Sequence, residues 1–410
     1  MRGSHHPEFA AVREALALCV PKDAPGGAAV CVYHRGERVV DLATGTRNPA
    51  GDPFETHTLA LSMSTSKGVT ATLMHVLLDR GLLEIDAPVA RYWPEFGQAG
   101  KASITIRQLL SHQAGLHVVA PLVRHARDML EWDRMIHALE RAEPVHRPGE
   151  DFGYHAFTFG WLCGELAQRA TGKPFQELLR TYLAEPLGLE GLYIGVPESE
   201  LPRVATFVGP RRLPMLPTGL ASATKRTLHV ATRLLGLNTE IDEATHALFP
   251  PGLAELDLND PSFLRAVLPS VNGCYDARSL AKLYAVLAHG GSLDGVRLLS
   301  KEAIVRASTD QNAAIDRVIP FPLRVKMGYH RPISLGLPIR IAGKRIDLGV
   351  ASPEAFGHFG FGGSGAWADP ERDLAVGLVT NTFFGRLPFD LRTVAIATAA
   401  AHAADRRRRA

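Results

Sequence analysis

The order of patterns along this chain predicts an α+β fold: an antiparallel β-sheet flanked by N- and C-terminal helices, with a large, mainly helical insertion. Three observations carry that expectation. Strand-like stretches cluster near the two ends, around residues 28–43 and 339–381, whereas helical periodicity dominates from about 60 to 310. A helix pattern stands at each terminus. Strands grouped apart from helices disfavour the alternating order of a parallel doubly wound sheet. Residues 7–58 and 315–410 would then form the sheet domain and 59–314 the helical one, with a site in the cleft between them.

The elements follow in order. Phe9, Val12, Leu16 and Cys19 recur at helical spacing and give an amphipathic first helix. Residues 28–34 alternate, turn at Arg35-Gly36 and continue through 37–43 as a hairpin. Helices are expected over 69–83, 108–112, 130–141, 159–171, 174–183 and 278–289. Strand character returns near 339–342, 345–350, 365–368 and 374–381, and a last helix spans about 387–403. Pro-rich patches at 209–217 and 250–252 read as loops. Met1-Arg-Gly-Ser-His-His6 looks like the start of an expression tag and is left out of the fold expectation.

Composition excludes several classes. The chain has 410 residues, 46% hydrophobic and 21% charged, which is ordinary for globular proteins. The net charge is +3, with four positive charges in Arg406 to Arg409, so the remainder stands at 3 − 4 = −1. The basic run reads as a solvated tail, and no nucleic-acid partner is expected. Cys19, Cys31, Cys163 and Cys274 form no CxxC pair and suggest buried free thiols in a reducing compartment. Arg13 and Glu14 interrupt any apolar signal core, and no run approaches membrane-span length, so a cytoplasmic location is expected. Histidine and cysteine spacing suggests no metal, and no cofactor is called for.

Candidate chemistry begins with Ser64-Thr65-Ser66-Lys67. One helical turn brings the Lys amine beside the Ser hydroxyl, and a helix N-terminus favours developing negative charge. A lysine desolvated in a cleft can lose its proton and act as base. Taken alone, the pattern fits equally a helix-capping serine with a surface lysine. A second match, Ser222-Ala-Thr-Lys225, lies in a Pro/Gly/basic stretch and reads as a loop lysine; Ser64 follows an apolar approach and opens an apolar-faced helix. No G-x-S-x-G elbow occurs, and the glycines at 360–365 lack the P-loop lysine.

Further segments follow in order: Gly81 to Pro88, Ile104 to Leu116, Pro148-Gly-Glu-Asp-Phe-Gly-Tyr154, Pro186-Leu-Gly-Leu189, Gly357-His-Phe-Gly-Phe-Gly-Gly-Ser364 and Ala368-Asp-Pro370. The series, over roughly residues 25 to 385, resembles the β-lactamase-related serine hydrolases: class C β-lactamases, DD-peptidases and family VIII carboxylesterases. The resemblance implies roles. Ser64 would be the acylated nucleophile and Lys67 its proton acceptor or pKa-lowering neighbour. Tyr154 matches the tyrosine of the Y-x-N element, a base beside the serine and an acid to the leaving group, its phenol lowered by the Lys67 charge. His358-Phe359-Gly360 matches the K-T-G or H-T-G strand. The backbone N–H groups of Ser64 and Phe361 would form the oxyanion hole, with Gly360, Gly362 and Gly363 letting substrate approach the chain. His112 matches a structural position beneath the site; His155 could face substrate or pack. Trp161, Trp367 and Phe359 read as core or cleft wall.

Two departures from the family pattern steer the substrate expectation. Tyr154-His155-Ala156 lacks the amide of Y-x-N, a residue that would help to position the lysine. His358 stands where lactamases usually carry lysine and is only fractionally cationic near pH 7. Both changes favour an uncharged small-molecule ester, of short to medium acyl length, over a penicillin-like acid. A β-lactamase or DD-peptidase-like enzyme, an acyltransferase using the same acyl-enzyme, and a non-catalytic ligand-binding relative stand as alternatives. Oligomeric state is open.

Overall fold

Most of the alternating terminal segments pair into one antiparallel sheet whose two faces carry different residues, but Leu337–Ile341 and Lys344–Leu348, expected as strands of it, pair with each other as a separate hairpin. The computed structural model describes residues 1–21, 24–209, 241–312, 316–319, 324–331, 337–341, 344–348, 352–383 and 390–409. Strands β1 (Arg2–His5), β2 (Gly27–His34), β3 (Glu37–Gly45), β4 (Phe356–Phe359), β5 (Gly365–Asp369) and β6 (Leu374–Thr380) line up in the order β1-β3-β2-β6-β5-β4. Every neighbouring pair is antiparallel. The opening segment belongs to this sheet: Arg2 to His5 pair with Ala43 to Val40 as an edge strand, contrary to its exclusion as a tag-like stretch.

The period of two sorts the strand residues between two cores. Val30, Val32, Val376 and Leu378 meet α1 (Ala10–Ala17) and the C-terminal helix through Phe9, Val12, Leu16, Ile396 and Ala400. Ala29, Cys31, Ala375 and Val379 face the main core, with Leu280 and Tyr284. The two terminal helices therefore share one face, and Ala277–Ala288, from the helical block, covers the other.

That block is built around α2 (Thr65–Asp79), buried on all sides from Thr65 to Leu78, and α3 (Thr158–Thr171). A helix without an exposed face lies at the centre of its domain, which explains why Lys67 is not the surface residue that the S-x-x-K pattern alone allowed. The block is not purely helical. Ala60–Leu61, Cys274–Tyr275 and Leu192–Tyr193 pair into a small three-stranded sheet that fixes the entry to α2. Following chain order, Ala277–Ala288 is α4 and the C-terminal helix is α5 (Leu391–Arg409).

Helix α5 runs to Arg409, so the basic run is its last turn and not a free tail. Arg407 pairs with Glu37 at 2.9 Å, and Arg406 donates to the Glu8 carbonyl at 3.3 Å. All four cysteines are buried and free. No helix among the described residues is long and apolar enough to cross a membrane. The second S-x-x-K and residues 210–217 of the Pro-rich patch lie outside the described residues.

Helix α4 approaches β6 closely because Gly377 has no side chain: a Cβ there would lie 2.7 Å from both Ala277 O and Ala281 N. Gly377→Ala is expected to cost about 2 kcal/mol through overpacking, read as a lowered denaturation midpoint.

Candidate active site

The turn into α2 holds its serine in a constrained pose. Met63, immediately before it, has φ +45°, a left-handed conformation that a non-glycine residue adopts at a cost. Ser64 occupies the N-cap position but makes no side-chain capping bond. Its hydroxyl instead meets Lys67 Nζ at 3.3 Å and the Tyr154 phenol.

Lys67 is fully buried. Its amine donates to Ala156 O at 2.6 Å and Ser270 O at 3.1 Å, and it lies 4.8 Å from the Tyr154 ring centre. Desolvation alone pushes its pKa well below the usual lysine value. Burial likewise pushes the Tyr154 phenol up, partly offset by its bond to Ser64. The net direction for the phenol is upward, contrary to the lowering expected from a Lys67 charge, because burial outweighs the other influences on it.

The missing amide of Y-x-N turns out to be replaced by main chain. The Ala156 carbonyl takes the lysine directly, and Ser270 supplies the second acceptor from a loop folded by Asn272. That side chain accepts from Leu268 N at 3.1 Å and donates to Phe263 O and Ala266 O, each at 2.7 Å.

His358 lies at the site on β4 with its ring centre 6.2 Å from that of Tyr154 and 4.6 Å from that of His330. Burial pushes its pKa well below the ordinary imidazole value, and Nδ1 donates to Phe359 O at 3.0 Å. It is therefore neutral near pH 7, not fractionally cationic.

Residues 360–364 form a tight turn, with Gly360 N–H donating to Ser364 O and Gly363 N–H to Gly360 O. Among the described residues, no protein acceptor takes the Ser64 or Phe361 N–H. At Gly360, expected to let substrate approach, a Cβ would sit 2.1 Å from Ser62 O, so its bareness lets the turn lie against the segment leading into Ser64. Gly363 similarly admits Arg392, whose guanidinium donates to Gly362 O at 2.7 Å and anchors the turn to the start of α5.

His155 is a correction. Its ring is buried, Nδ1 donates to Gly153 O at 2.7 Å, and Nε2 accepts from Leu116 N–H at 3.1 Å, so both ring nitrogens are used by main chain and none is left for substrate. His112 accepts from the His155 N–H at 3.2 Å and packs beside Tyr154 and Phe159, beneath the site. Among the described residues, no group of three or more His, Cys, Asp or Glu could hold a metal. Sequence reasoning missed Ser270, Asn272, Asp316 and Arg392; none sits in a recognisable motif. His155→Ala leaves the Gly153 carbonyl and Leu116 N–H unpaired and is expected to cost roughly 2–3 kcal/mol, measurable by urea denaturation.

Comparisons with known proteins place the chain by family and fold. The family model described as beta-lactamase matches residues 13–401. The esterase/beta-lactamase LipL of Mycobacterium tuberculosis is 37% identical over 388 residues, covering 94% of this chain and 84% of that protein. A penicillin-binding protein homologue from Caulobacter crescentus superposes with TM-score 0.81 at 33% identity, covering 98% of this chain and 99% of the other. A family VIII carboxylesterase gives TM-score 0.80 at 34% identity, with the same coverage.

Proposed function

The chain belongs to the beta-lactamase family of serine hydrolases, and from that premise we propose that it hydrolyses uncharged carboxylic esters of short to medium acyl length through an acyl-enzyme on Ser64. The observation that carries this reading is the arrangement around Lys67. A neutral amine has two N–H groups and one lone pair. Carbonyls only accept, so Ala156 and Ser270 occupy both N–H groups, and the lone pair is left for the Ser64 hydroxyl.

The chemistry follows from that polarity. Ser64 Oγ attacks the ester carbonyl carbon while its proton passes to Lys67 Nζ. The resulting oxyanion is received by the Ser64 and Phe361 N–H groups. As the C–O bond breaks, the leaving alkoxide takes the Tyr154 proton, and the Lys67 ammonium reprotonates the phenolate. Water then attacks the acyl-enzyme by the reverse sequence and regenerates Ser64. A protonated phenol suits the acid role, and burial keeps Tyr154 protonated.

The lowered pKa of His358 supports esters over carboxylate-bearing lactams, as does the likeness to a family VIII carboxylesterase, while LipL, an esterase/beta-lactamase, supports the serine-hydrolase reading without choosing between the two. The 7–58 and 315–410 sheet residues and the 59–314 block are taken as the two walls of the cleft. Free buried thiols fit a cytoplasmic location.

The test is turnover of p-nitrophenyl butyrate and of a chromogenic cephalosporin by the parent and Ser64→Ala. Ester turnover should exceed cephalosporin turnover and fall on the order of 10³-fold or more in the variant; ester turnover surviving in Ser64→Ala refutes the assignment. Because Lys67 acts when neutral, kcat/KM should fall as pH drops through its lowered pKa. Lys67→Arg, which stays charged, should lose ester turnover at every pH; an active Lys67→Arg would exclude Lys67 as the base.

A further inference from the structure

Tyr154 has no helix or strand of its own to hold it, and residues 151–154 are fastened to residues 316–318 at three points. The Arg317 guanidinium donates to Asp151 at 3.0 Å, the Arg317 N–H to Phe152 O at 3.3 Å, and the Tyr154 N–H to Asp316 Oδ1 at 2.9 Å. The second side of the fastening is rigid as well. The same Asp316 oxygen accepts from Val318 N–H at 2.8 Å and Ile319 N–H at 3.3 Å, and Arg317 pairs with Glu243, which also meets His117. Asp316 is fully buried, and Val318 packs with Tyr154, Ala156 and Ala247.

A buried carboxylate is costly to place and is kept where its hydrogen bonds compensate. We propose that Asp316 is a positioning residue for Tyr154: by holding the Tyr154 N–H from the facing turn, its carboxylate fixes the phenol at hydrogen-bond range of Ser64. It acts through Tyr154 and touches no reacting atom. The inference rests on the reading of Tyr154 as proton donor to the leaving group. Burial raises the Asp316 carboxyl to about 6, so it is largely ionised at neutral pH. Its anion also opposes phenolate formation, in the direction that keeps Tyr154 an acid. Lys67, His112, His117, Asp151, Glu243, Arg317 and His358 are other titratable or charged groups around this junction.

The test uses leaving-group dependence, which a general loss of stability does not change. A nitrophenolate leaves without a proton, whereas an ethoxide needs one. kcat/KM, which reports acylation, is measured for p-nitrophenyl butyrate and ethyl butyrate in Asp316→Ala, Asp316→Asn and Tyr154→Phe. Asp316→Ala should lose about tenfold or more on the ethyl ester beyond its loss on the nitrophenyl ester. Asp316→Asn, which keeps an acceptor oxygen, should recover most of that difference. Equal losses on the two esters in Asp316→Ala, with Tyr154→Phe still discriminating, overturn the proposal, as does an Asp316→Asn as selective in its damage as Asp316→Ala. If Tyr154→Phe affects both esters equally, the role of Tyr154 fails and this inference falls with it. Should Asp316→Ala not fold, Asp316→Glu displaces the carboxylate by one methylene. It should show the same selective loss, and an equal loss again overturns the proposal.

Discussion

Everything at this site depends on the burial of one amine. Among the described residues no carboxylate pairs with Lys67, which sits on a helix sealed on every side, where burial disfavours its charged form. Burial drives the amine toward its neutral form, and its N–H groups meet two carbonyls from distant parts of the chain. Those bonds join α2 to the segment that carries Tyr154 and to the 268–272 loop. Thr70 on the next turn of α2 adds a bond to Pro269 O at 2.8 Å. Close packing extends the junction: at Gly160, on α3, a Cβ would lie 2.4 Å from Ser270 N.

The same sealing acts on neighbouring titratable groups. His112, His330 and His358 are all pushed below the usual imidazole range by burial, and the Tyr154 phenol is pushed up. Each change follows from one rule, that low dielectric disfavours the charged form. What results is a set of groups biased toward their neutral forms, on which hydrogen-bond partners bear directly. Lys67 illustrates it best: its amine is held by the Ala156 and Ser270 carbonyls and lies 3.3 Å from the Ser64 hydroxyl.

Much of the layout was legible in the sequence because it is written in periodicity. The 28–43 hairpin, the C-terminal strands and the terminal helices depend on local alternation or helical spacing, and these elements stand close to where the patterns put them. Strand β1 and the short strands at 60–61, 192–193 and 274–275 were not legible, because two to four residues carry no period and are fixed only by long-range pairing. At the site, Ser64 and Lys67 share a helix and are found by spacing, and Tyr154 by a resemblance of motifs. The two faces of His155 were not readable, since what decides its role is that Gly153 O and Leu116 N–H meet its ring. Asp316 and Arg392 left no local signal for a similar reason: one acts through a backbone N–H 162 positions away, the other through a carbonyl 30 positions away.

His358 shows how far a single substitution reaches when burial and hydrogen bonding are considered together. A lysine at this position would offer a cation to a substrate carboxylate. The imidazole, desolvated and beside His330, stays neutral, and the Phe359 carbonyl can only accept, so the proton is on Nδ1 and Nε2 is left as a lone pair. A carboxylate brought to that nitrogen would meet an acceptor with an acceptor, while losing its own hydration. Both terms oppose it, and burial also drives the Lys67 amine away from its cationic form. In the proposed reading, selection for an uncharged substrate thus has the same origin as the proposed base: the low dielectric that lowers the Lys67 pKa also lowers that of His358.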